Sequence, residues 1–131
     1  MIWKGNNNLK LYKMLQIIEL KEKNIVATNA SGKLRKEDIE KIHPLIHTIL
    51  DKGMKVRWYF EMKDFTGWDP GLLEDLKMDT AHAKDYEKIA MVGDKKWQNW
   101  ITQFMKLFTN AEIKYFNIDQ KEEAKNWIES Q

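Results

Sequence analysis

Apolar positions recur along this chain with two spacings, every second residue in some stretches and every third or fourth in others. Leu15-Gln16-Ile17-Ile18-Glu19-Leu20 and Ile25-Val26-Ala27-Thr28 are short apolar runs joined by the polar turn Lys21-Glu22-Lys23-Asn24. That arrangement predicts an antiparallel hairpin, with Ser31-Gly32 ending its second strand. From about residue 36 to residue 51, Ile39, Ile42, Ile46, Ile49 and Leu50 fall on one helical stripe. Pro44 removes a backbone bond inside that stretch, so a kink is expected there, and Gly53 supplies the stop.

The next strand, Val56-Arg57-Trp58-Tyr59-Phe60-Glu61-Met62, alternates. Val56, Trp58, Phe60 and Met62 point one way and Arg57, Tyr59 and Glu61 the other. A parallel strand sandwiched by helices would be apolar throughout, so the helices are expected mostly on one face of the sheet. Asp64-Phe65-Thr66-Gly67 reads as a loop. After it Asp69 suits a helix cap, Pro70 the first helical position, and Trp68 with Leu73 a hydrophobic staple. That helix is expected to reach about residue 84, with Leu72, Leu73, Leu76, Thr80 and Ala83 inward. Ile89-Ala90-Met91-Val92 reads as a buried strand closed by a turn at Gly93. Asp94 is placed to cap a helix over 95–108 carrying Trp97, Trp100, Ile101, Phe104, Leu107 and Phe108. Glu112-Ile113-Lys114-Tyr115-Phe116 is the last strand. Asp119 and Glu122 form a capping-box-like pair before a helix that buries Ala124, Trp127 and Ile128.

The order β-β-α-β-α-β-α-β-α predicts an α/β fold. Its sheet is five-stranded and mixed: an N-terminal antiparallel strand, then parallel βα units, with four main helices. Residues 14–131 form one domain of a length that supports a core. Residues 1–13, with an Asn triplet and no period, are a tail or extension, and translation starts at either Met1 or Met14.

Composition narrows the function. A hydrophobic content of 43% with six tryptophans excludes disorder. Charges balance, 22 basic against 20 acidic, which argues against a nucleic-acid partner. With no cysteine, disulfides, thiolate ligands and thiol nucleophiles are excluded. The N-terminus has no apolar core of signal-peptide length, and no run approaches the ~20 residues of a spanning helix. A soluble cytoplasmic protein is expected, one that can still touch a membrane surface.

Candidate chemistry is sparse. Glu40, His43, His47 and Asp51 share one helical face, and two histidines at i and i+4 are a metal-binding spacing. That face lies away from the apolar stripe and Pro44 disturbs it, so no metal and no cofactor are expected. Gly93-Asp94-Lys95-Lys96 has amides and lysines that suit an anion but lacks P-loop spacing, and its plainer role is a helix cap. Glu74 with Asp75, and Glu122 with Glu123, diverge on their helices, and no Ser-His-Asp order occurs. An enzyme is not expected.

Three motifs in order carry a family resemblance: Gly67-Trp68-Asp69, Val92-Gly93-Asp94-Lys95-Lys96-Trp97, and Ala111-Glu112-Ile113-Lys114-Tyr115-Phe116 with Ala124 and Trp127. Together they resemble the SpoIIAA-like family of small bacterial proteins, over about residues 14–129. The resemblance implies a STAS-like fold, related to the lipid-binding CRAL-TRIO domain. STAS-type anti-sigma-factor antagonists carry a phosphorylated serine in an Asp-Ser-Ser-Gly stretch after the third strand. Here that stretch is Asp64-Phe65-Thr66-Gly67-Trp68-Asp69, which holds no serine and leaves Thr66 as the position for a switch. A phosphate there would be favoured by a helix N-terminus and opposed by Asp69.

The lipid-binding relatives imply an apolar or amphipathic ligand held between helices and sheet. Its contacts here would be Trp68, Leu72, Leu76, Trp97, Trp100, Ile101, Phe104, Met105 and Phe108. Met105 off the main stripe and Trp97 in the first turn give helix 95–108 more apolar bulk than one buried side needs, although such stripes are commonly core. The first expectation is therefore a non-enzymatic domain that binds a lipid-like molecule, peripheral at the inner membrane. The alternative is a STAS-type protein-interaction module with a regulatory protein partner. A hydrolase or metal enzyme comes third.

Overall fold

The alternation along the third strand decides how the sheet is covered. In the computed structural model, which describes residues 15–18, 24–69, 84–106 and 109–131, five strands form one sheet in sequence order. They are β1 (Leu15–Ile18), β2 (Ile25–Leu34), β3 (Val56–Trp68), β4 (Tyr86–Gly93) and β5 (Glu112–Asn117). β1 is antiparallel to β2, and every other neighbouring pair is parallel. The described helices are α1 (Lys36–Glu40), α2 (His43–Asp51), α3 (Lys96–Met105) and α4 (Lys121–Glu129). The helix expected over 70–84 and the N-terminal tail lie outside the described residues.

Val56, Phe60 and Met62 lie in one core with Ile89, Met91 and Ile113, closed by Ile42, Ile46 and Ile49 from the α2 segment. Tyr59 lies in a second core with Ala27, Ala90, Val92 and Phe116, closed by Ala124 and Ile128 of α4. The expectation of helices mostly on one face, with a half-polar face opposite, is thus corrected: α4 covers that second face. It does so because the polar residues there are bonded internally. Tyr59 donates to Glu61 at 2.7 Å, and Arg57 and Lys88 donate to the last turn of α4.

Three boundaries also differ from the sequence pattern. The stretch 36–51 is two helices separated at Lys41-Ile42, not one kinked helix. Pro44 sits in the first turn of α2, where its missing N–H needs no partner. The Asp38 carboxylate, buried, accepts from the Arg35 amide at 2.9 Å and caps α1 separately. At the last helix the capping pair is Asn117 with Gln120, opening a 3-10 turn (Ile118–Gln120) that runs into α4, rather than Asp119 with Glu122.

The third difference positions the site. β2 does not stop at Ser31-Gly32, and Asp64–Gly67 is not a loop: the β2–β3 ladder continues to Leu34↔Trp68. Pairing of β3 with β4 ends earlier, at Met62↔Gly93. The last part of β3 therefore overhangs the sheet as a two-stranded ribbon with β2. Register shifts around Gly32 absorb the irregular residues, with Gly32 at φ 66, Asp64 at φ 58 and Gly67 at φ 132.

Candidate functional site at the carboxyl end of the sheet

In open α/β sheets, ligand and partner contacts gather where parallel strands end and the following segments begin. Here that edge is formed by the β3 overhang, the Gly93–Lys96 turn and the end of β5.

Gln98 organises the turn. Its Oε1 accepts from the amides of Asp94 at 2.9 Å and Lys95 at 3.2 Å, closing the chain before α3 in the manner of a capping-box glutamine. Two donors on one oxygen fix which end of the amide faces them, and the Nε2 end is buried with no hydrogen-bond partner. Gln98 is 0% exposed, and Thr102 one turn on is equally buried, its hydroxyl donating to the Gln98 carbonyl at 3.0 Å. Gly93 leaves room for this arrangement, since a Cβ there would lie 2.0 Å from Gln98 Oε1 and force the amide to shift.

Lys95 spans the edge. Its Nζ donates to the Phe65 carbonyl in the β3 overhang at 3.2 Å, and its own carbonyl accepts from the Tyr115 hydroxyl of β5 at 3.2 Å. Beside it lies a cleft of about 340 Å³ lined by Asp94, Lys95, Lys96, Asn99, Tyr115 and Asn117. Burial, and then the Asp94 charge, raise the Tyr115 hydroxyl above its ordinary value of 10.0. The lining offers amines, amides, one carboxylate and one phenol, and neither histidine nor a thiol. This suits hydrogen-bonded and charged recognition.

On the opposite face a second polar group is sealed under α4. Tyr59 is fully buried and Glu61 8% exposed. Desolvation first, then the hydrogen bond to Glu61 and the charges of Glu61 and Glu122, push the Tyr59 hydroxyl far above its ordinary range. Lys88, 6% exposed, donates to Trp127 O, Ser130 O and Ser130 Oγ, and lies 4.9 Å from the centre of the Trp127 ring. Arg57 donates to Ile128 O and Ser130 O and pairs with Glu87 at 2.6 Å. Two cations at a helix C-terminus complement its dipole, and here they hold α4 down.

Of the residues expected to bind an apolar ligand, Leu72, Leu76 and Phe108 lie outside the described residues. Trp68 ends β3, and Trp97, Trp100, Ile101, Phe104 and Met105 lie on α3, but their side chains are likewise outside the described set. Thr66 is exposed within the β3 overhang, next to the carbonyl that Lys95 holds. His43 and His47 stand with ring centres 5.9 Å apart, and Glu40 falls on a different helix. Among the described residues no set of three potential metal ligands converges. No helix among them is long and apolar enough to cross a membrane. Gln98, Thr102, Tyr115 and Asn117 were not singled out by the sequence. For the first of them the sequence carries only half a capping-box signal, a glutamine at the third helical position with no Ser, Thr, Asp or Asn at the cap.

A family model described as SpoIIAA-like matches residues 25–129. Among solved structures, an uncharacterized protein with a SpoIIAA-like fold from Shewanella loihica is 26% identical with a TM-score of 0.66, covering 87% of this chain and 93% of that one. The anti-sigma factor antagonist SpoIIAA in its unphosphorylated form is 17% identical with a TM-score of 0.51, covering 89% of this chain and 99% of that one, a likeness of fold alone. No curated protein matches the sequence.

Proposed function

We propose, from the premise that this chain belongs to the SpoIIAA-like family, that it is a non-enzymatic interaction module presenting the carboxyl end of its sheet to a regulatory protein partner. The domain that does so is residues 14–131, acting in the cytoplasm. The observation that carries this is the cleft, whose lining residues are all of polar or charged type and whose Lys95 reaches the overhanging ribbon that carries the exposed Thr66. A surface of this kind suits a protein partner better than a hydrocarbon chain. Thr66 is the position for a switch: phosphate there would add charge of about −1.5 to −2 next to the lysine-held carbonyl. The test is affinity capture from the source cells with wild type and Thr66→Glu. A partner gained or lost reproducibly supports the switch; an identical partner list removes Thr66 from it.

A second function, binding of an apolar or amphipathic lipid-like ligand at a membrane surface, is favoured by one feature of α3. Its buried described residues are the polar Gln98 and Thr102. By helical position, 97, 101 and 104 fall roughly 60–160° around the helix from them. The buried polar pair and the apolar positions are thus offset around α3. Organic extraction of the purified protein followed by mass spectrometry tests it. A recovered fatty acid or phospholipid supports lipid binding, and a lipid-free protein that ignores liposomes counts against it.

A further inference from the structure

We infer that Lys95 is a strap that holds the β3 overhang in its irregular conformation, and that an anionic group of a partner releases it by capturing the ammonium. This is a regulation of the same carboxyl-end surface and rests on the interaction-module proposal for its use, though its test needs no partner.

The overhang has lost β4 as a neighbour beyond Met62 and pairs only with β2 within the sheet. Asp64 sits at positive φ, which a non-glycine strand residue adopts only when its surroundings impose it, and Gly67 supplies a second positive φ that glycine permits. Three of the ties that impose it come from the overhang's own side of the sheet. The buried Phe65 ring packs 6.2 Å from Phe60, the Asp69 amide donates to the Leu34 carbonyl at 2.9 Å, and Lys33 pairs with Asp69 at 3.4 Å. The tie from Lys95 to the Phe65 carbonyl is different, because it comes from the turn after β4. It joins the overhang to the turn that opens α3. Lys95 is itself exposed, so its ammonium is open to a competing carboxylate or phosphate. Its backbone is fixed separately by Gln98 and Tyr115, so the side chain can let go without the turn unfolding.

Amide hydrogen exchange on wild type, Lys95→Met and Lys95→Arg tests the strap. Lys95→Met is expected to speed exchange at Phe65, Thr66 and Gly67 roughly twofold, the low end of the range for one hydrogen bond. The Asp94 and Lys95 amides and the denaturation midpoint should stay at wild-type values, and Lys95→Arg should keep the slow pattern. Wild-type exchange in Lys95→Met overturns the inference, and so does a uniform acceleration across the sheet. Should Lys95→Met fail to fold, Lys95→Gln carries the same expectation, and acetate titrated into wild type should speed the same three amides. An unchanged pattern in both would equally overturn it. None of these outcomes bears on whether a partner protein exists.

Discussion

Lys88 and Lys95 belong to one strand–turn segment, and both donate from Nζ to main-chain carbonyls, yet their surroundings are opposite. Lys88 is 6% exposed and reaches three oxygens at the end of α4 while lying over the Trp127 ring. Lys95 is exposed and donates to a single carbonyl on the β3 overhang. Water reaches the first ammonium poorly, so removing it takes a charged donor from oxygens at the end of α4 that Arg57 and Ser130 then satisfy alone. Water readily replaces the second, so its bond is worth little to stability and is free to be exchanged. The same chemistry is a fastening at the covered face and an adjustable contact at the carboxyl end, which is why the latter is the better candidate for a working surface.

Lys88→Met should show the largest effect, a loss of about 2–3 kcal/mol in urea unfolding, because acceptors at the end of α4 lose a charged donor. A change within experimental error would erase the contrast. Tyr59→Phe comes next, at about 1–2 kcal/mol, since the buried Glu61 carboxylate loses its 2.7 Å donor. Tyr59 also sets an alkaline limit. Its hydroxyl keeps the proton in the folded state far above the ordinary value of 10.0, so the unfolded chain binds fewer protons once pH passes that value. The contribution is fully present below about pH 10 and falls by about 1.4 kcal/mol per pH unit above it. Urea titrations at stepped alkaline pH should show that slope in wild type and lose it in Tyr59→Phe.

Gln98→Ala should cost about 1 kcal/mol, as expected for a lost helix cap offset by removal of an unpaired buried amide nitrogen. Its effect on amide exchange should centre on Asp94 and Lys95. Smallest is Lys95→Met, within about 0.5 kcal/mol of wild type by urea unfolding, as for an exposed residue. A cost there as large as that of Lys88→Met would show the two lysines to be alike.

The covered face was partly legible in the sequence. Alternation along Val56–Met62 separates the residues of the two cores correctly, and Ala124 and Ile128 emerge as buried. What the pattern could not convey was that Arg57 and Lys88, polar by type, are held under α4, because their partners are carbonyls far along the chain. The carboxyl end was harder. Asp64, Thr66 and Gly67 carry loop-forming residue types, and only the pairing with β2 turns them into strand. Pro44 marked a disturbance near the break, but proline suits a helix start as well as a kink, and here it stands in the first turn of α2. Gln98 was not singled out, because its amide oxygen packs where Gly93 has no side chain, a contact the pattern does not show. The aromatic positions of α3, which drew most attention in the sequence, have side chains outside the described set.

The most direct measurement sets one charge reversal against another at the two ends of β3. Lys96 lines the cleft, and Lys55 is exposed just before β3 begins. Partner capture from the source cells should be compared, by quantitative mass spectrometry, for wild type, Lys96→Glu and Lys55→Glu at equal stability. If the carboxyl end is the working surface, Lys96→Glu loses a protein that wild type and Lys55→Glu both retain. Equal retention by both variants, or equal loss, would contradict it.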